Sequence, residues 1–179
     1  MGENFAFLLP VVLTLFGVAF LVVGRFGNRA ALLWGAGYLC AAVGFLVPLL
    51  EVVVPIPVVA MTADAAFLSA FFLYSQALVT HFAARRLMAV RLGVVAVAYA
   101  CTSLAVLVGE SLRFELFIND IACSTLLLIA ISASWRRSHS RIDRALFGAV
   151  GFVIAETTVR TMVFFFMAGL PAMGAFIGS

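Results

Sequence analysis

Few residues in this chain can do chemistry, because hydrophobic side chains make up 65% of it and charged ones only 11%. Those that break into long apolar runs therefore stand out: Asp64, Glu115, Asn119, Asp120, Glu156 and Arg160. An ionisable group inside an apolar helix is costly, so each is a functional candidate. Glu156 and Arg160 stand at i, i+4 spacing, which lets one helix face pair them. Asn119 and Glu115 lie near Asp120 in sequence. The acids outnumber the one arginine among them, so the group could hold a proton, a cation or a polar ligand. The same residues could instead pair with one another to fix helix register. The sequence leaves both readings open.

Other chemistries find no support. No phosphate-binding GxxxxGK[ST], dinucleotide GxGxxG or zinc-protease HExxH occurs, nor any GxSxG or SxxK nucleophile motif. Cys40, Cys101 and Cys123 each sit in an apolar stretch without a CxxC or CxxH pattern, and read as small packing residues. His81 and His139 have no partner at ligand spacing and read as interfacial or solvated. No catalytic residue, metal site or cofactor is expected.

The elements that must carry these residues are apolar runs long enough to cross a bilayer, which takes about 20 residues per helix. Six qualify, at residues 5–23, 31–50, 57–83, 88–108, 114–135 and 145–168. They lack strand alternation and exceed barrel-strand length, so the expected fold is all-α, a single polytopic membrane bundle over residues 1–179. With a mean hydropathy of +1.22, the chain has too little polar surface for a soluble domain. The third run exceeds a ~30 Å core and is expected to tilt or to project past the membrane. Pro10 and Pro48 are placed near helix ends. Trp34 and Trp135 are placed in an aromatic belt. Small residues at packing intervals (Gly37, Ala41 and Gly44; Ala66 and Ala70; Gly151 and Ala155) suit close helix approach, within the bundle or in a homodimer.

Orientation follows from arginine. The pI of about 9.1 comes from Arg residues that lie mostly between apolar runs, which points to membrane orientation rather than nucleic acid. Arg25, Arg29, Arg85, Arg86, Arg91, Arg136, Arg137, Arg141 and Arg144 fall at the first, third and fifth connections; only Arg113 falls at the others. The odd connections are thus expected in the cytoplasm, with both termini outside and the lipid bilayer as the main partner. Glu3 before the first run and Arg25 after it oppose the polarity of a cleavable signal. Asp64, Asp120 and Arg160 then lie at roughly 9–12 Å below the outer face, on three helices.

One resemblance bears on function. The run Arg29-Ala-Ala-Leu-Leu-Trp-Gly-Ala-Gly-Tyr38 follows a short basic connection; Arg85 and Arg86 follow helix three; Trp135-Arg136-Arg137 ends helix five; Arg160 lies within helix six. In these features the chain resembles the N-terminal membrane region of bacterial diguanylate cyclases that carry a C-terminal GGDEF domain. The GGDEF motif itself is absent. The resemblance implies a sensory or anchoring input domain in a bacterial inner membrane, working on an output domain or partner protein. The apolar tail from Gly169 to Ser179 looks like a loop leading into a seventh helix, which would return the chain to the cytoplasm. Two alternatives stand beside this: a small ion-coupled transporter using the same acids, and a passive membrane scaffold.

Overall fold

The structure, a computed structural model, describes residues 3–108, 112–137 and 140–167. The described residues form six long helices and no strand: α1 (Glu3–Arg25), α2 (Arg29–Leu46), α3 (Ile56–His81), α4 (Met88–Leu107), α5 (Leu112–Ser134) and α6 (Arg141–Met167). All six are long and apolar enough to cross a membrane. The tail from residue 168 on, and His139, lie outside the described residues.

Local chemistry explains most of the helix ends. Asn28 caps α2 by accepting a hydrogen bond from the Ala31 amide at 3.1 Å. The helix stops at Leu46, since Pro48 has no amide to donate, and a tight 3-10 turn takes over at Val47–Leu50. Pro55 precedes α3 and Pro57 sits in its first turn, where a missing amide costs nothing. Beyond His81 the chain turns sharply through Ala83 (φ 46°) and Leu87 (φ 41°), both left-handed without being glycine. Arginines hold that turn: Arg137 donates to the Ala83 carbonyl and Arg91 to the Arg86 carbonyl.

Three expectations are corrected here. Helix α6 starts at Arg141, four residues earlier than the apolar run indicates. Ser140 and Asp143 form a reciprocal cap, each side chain accepting from the other's amide at 3.0 Å. Pro10 lies inside α1 rather than at its end, and the helix runs through it. Arg91, counted among the loop arginines, belongs to the first turn of α4 and is wholly buried.

Helix α1 packs on α2 and α2 on α3; α3 and α4 both pack on α5, and α6 packs on α5. The α1–α2–α3 face is close-packed because small residues line it. A Cβ on Gly35 would meet the Gly17 carbonyl and the Leu21 amide at 2.8 Å, so two backbones touch there. Gly37 receives the Tyr74 ring and Gly44 the Phe67 ring. Gly151, expected to serve likewise in α6, faces open space. Trp34 packs into an aromatic cluster with Tyr74 (5.1 Å) and Tyr38 (6.3 Å), whereas Trp135 is exposed.

At the end of the bundle that carries most arginines, α6 is pinned. Phe147 stacks at 4.8 Å on Phe82, the residue that follows α3, Trp135 lies 5.6 Å from the Phe147 ring, and Asp143 stands 3.8 Å from His81. Towards the opposite end α6 keeps company with α5 alone, and among the described residues it does not pack on α1 or α2. The bundle is therefore splayed in that half.

Candidate functional site

The splay opens a cleft of about 600 Å³ between the α1–α3 layer and α5–α6. Its walls differ in kind. Helices α1, α2 and α3 contribute Leu9, Leu13, Phe45, Phe67 and Phe71, with the Tyr74 side chain the one hydroxyl-bearing group among them. Helices α5 and α6 contribute Asn119, Asp120, Glu156, Thr157, Arg160 and Thr161, with Arg113 at the rim. Helices α1 and α6 both line the cleft, and among the described residues they do not pack on each other.

The polar wall is organised around Asp120. Arg160 Nη2 lies 3.4 Å from each of its carboxylate oxygens. That is longer than a normal charge-assisted bond. The Thr161 hydroxyl sits between the Asp120 carboxylate and the Thr157 carbonyl, 2.7 Å from the latter. With one proton and two acceptors, it can donate to only one at a time. The side chain of Arg160 is 58% exposed and is part of the cleft lining. Asn119 is buried yet reaches the cleft, and the Cys123 thiol points to its Oδ1 at 4.0 Å.

Five of the sequence candidates thus fall into two groups rather than one. Asp120, Arg160, Asn119 and Glu156 line the cleft. Asp64 does not. It is 2% exposed and lies between α3, α4 and α5, where it interacts with Glu115 and Thr102. Its Oδ2 has no hydrogen-bond partner among the described residues. The i, i+4 pairing of Glu156 with Arg160 does not form: Arg160 turns across to Asp120 on α5, and Glu156 stays exposed on the cleft wall. Sharing a helix face is weaker than facing an opposite charge across a gap.

Sequence reasoning missed Thr157 and Thr161, although their i, i+4 spacing on either side of Arg160 was a usable signal. It also missed the environment of Arg91. That guanidinium donates to Ser75 Oγ (3.1 Å), Gln76 Oε1 (2.6 Å) and the Arg86 carbonyl, and lies 5.7 Å from the Phe72 ring centre. Of the arginines expected to mark orientation, Arg25, Arg29, Arg85, Arg86, Arg136 and Arg137 are all exposed. No group of three His, Cys, Asp or Glu side chains among the described residues could hold a metal ion.

The cleft can bind a molecule that is apolar over most of its surface and polar at one edge. Pockets of small-molecule sites span roughly 300–1,000 Å³ and combine apolar walls with a few convergent polar groups, as this one does. No family model, curated protein or solved structure matches the chain.

Proposed function

We propose that the chain is a membrane-embedded input domain of a bacterial signalling protein. A ligand in the cleft would shift α6 against the rest of the bundle. The observation that carries this is the asymmetry of α6: at the arginine-rich end Phe147 stacks on Phe82 beyond α5, whereas at the other end its contacts (Arg160 and Thr161 with Asp120, Phe165 with Phe117) are to α5. A helix that pivots on the Phe82–Phe147 contact would move its short arm at Ile142 when its far end shifts against α5, which gives it two available positions, as a switch needs. The resemblance to membrane regions that precede GGDEF domains supports the same role, with the arginine-rich end in the cytoplasm facing an output domain. The reading assigns no catalysis to the chain itself. A carrier would need a path through the arginine-rich end, where Phe82, Phe147 and Trp135 pack together.

The test is mechanical. Spin labels at Ile142 on α6 and Met88 on α4, both exposed, report the arginine-rich end. Arg160→Gln should shift the distance between them by about 1–2 Å, the scale of helix movement in switching bundles. An unmoved distance would rule out transmission along α6 and leave a passive scaffold.

A further inference from the structure

The cleft does more than offer volume; its shape and charge select a class of ligand. The charges on its described lining balance, Arg113 and Arg160 against Asp120 and Glu156. A carboxylate amphiphile meets as much repulsion from the two acids as attraction from the two arginines, so the wall does not select it. A pure hydrocarbon would leave Arg160 and Asn119 without partners on the cleft side, which is costly in an apolar surrounding. A two-chain phospholipid is too large for the space.

We propose that the cleft binds a lipid-soluble quinone or quinol, a flat uncharged ring with carbonyl or hydroxyl oxygens on an apolar tail. The inference rests on the reading of the cleft as the input site and names its ligand. Arg160 and Asn119 supply donors for ring carbonyls, and Asp120 accepts from ring hydroxyls, so the polar edge serves both forms. Aromatic pairs flank the same space: Phe45 with Phe67 at 5.0 Å, and Phe117 with Phe165 at 4.8 Å. Offset and edge contacts with such rings favour a flat aromatic-sized guest. A second chamber of about 150 Å³ continues from the first past Phe71, Tyr74 and Val153, ending at Trp34 and Leu127. Its lining is largely aromatic and aliphatic, with Tyr38 and Tyr74 among it, and suits the start of a tail. Entry from the lipid, where a quinone resides, would pass between α1 and α6, which do not pack on each other among the described residues.

Trp34 makes the proposal measurable, because quinones quench indole fluorescence. The full chain carrying Trp135→Phe, in phosphatidylcholine nanodiscs free of quinone, would be titrated with decylubiquinone. Saturable quenching is expected. Arg160→Gln should weaken the apparent Kd about tenfold or more, and Val153→Phe, which fills the passage between the chambers, should abolish saturation. Gly148→Ala, on a face with nothing within 4 Å, should bind as the parent does. An excess of stearate should leave the quenching intact. Quenching that climbs in proportion to quinone content, alike in parent and variants, would mean mere partitioning and overturn the proposal, as would displacement by stearate. Absence of saturable binding with a shifted Ile142–Met88 distance in Arg160→Gln would remove the quinone and keep the input role. Saturable binding with an unmoved distance would keep the quinone and remove the input role.

Discussion

Arg91 shows how a single residue can be read correctly in charge and wrongly in place. Its position next to Arg85 and Arg86 marks the same end of the bundle, and that inference stands. Its direction does not follow, because it turns inward and satisfies Ser75, Gln76 and a backbone carbonyl that no other side chain reaches in the described structure. Arg91→Met would leave those three acceptors without their donor in an apolar surrounding. Hydrogen bonds to charged groups contribute about 1.5–3 kcal/mol each in soluble proteins and less in membrane bundles, so a loss of about 1–3 kcal/mol is expected. Reversible unfolding in mixed micelles would measure it, and an unchanged midpoint would mean that the contact adds nothing to stability. Nothing in the sequence distinguishes a buried arginine at a helix start from an exposed one. The signal lay in Ser75 and Gln76, polar residues deep in an apolar run, whose partner is 15 or more positions away.

At the scale of helices, apolar run length placed all six spans, and polarity set their ends only coarsely. The start of α6 was missed because hydropathy does not register the Ser140–Asp143 cap. The packing of α1 against α2 was likewise hidden. Gly17 and Gly35 belong to different helices, and only their spatial meeting reveals the backbone contact. Gly35→Ala should therefore separate these helices, since the new methyl would meet backbone atoms that cannot rotate away. A disulfide cross-linking rate between cysteines placed on α1 and α2, in an otherwise cysteine-free chain, should fall several-fold. The same change at Gly93, which faces open space, should leave the rate unaltered.

For the whole molecule, the fold class was legible, and the cleft was not. Depth follows from counting residues along a helix. Which helices adjoin depends on packing around the bundle, and each helix here is apolar on most of its faces. That is why Asp64 and Arg160, expected at similar depth from residue counting, belong to separate sites. Orientation rests on the arginine distribution and is open to direct measurement. A cysteine at Val52, exposed in the α2–α3 connection, should react with a membrane-impermeant maleimide added to intact cells, and one at Arg85 should react only after lysis. The reverse pattern would invert the bundle and place the cleft in the inner half.

The loose hold of α6 also bears on how the chain enters the membrane. Its span has the lowest mean hydropathy of the six, 1.4 against 1.8 to 2.6 for the others. An arginine and a glutamate deep in a segment weigh against its release into lipid by the insertion machinery. Helix α5 is made first and carries Asp120, the counter-charge that Arg160 meets in the finished bundle. The residues that keep the cleft polar thus also make α6 the segment most dependent on a waiting neighbour during synthesis.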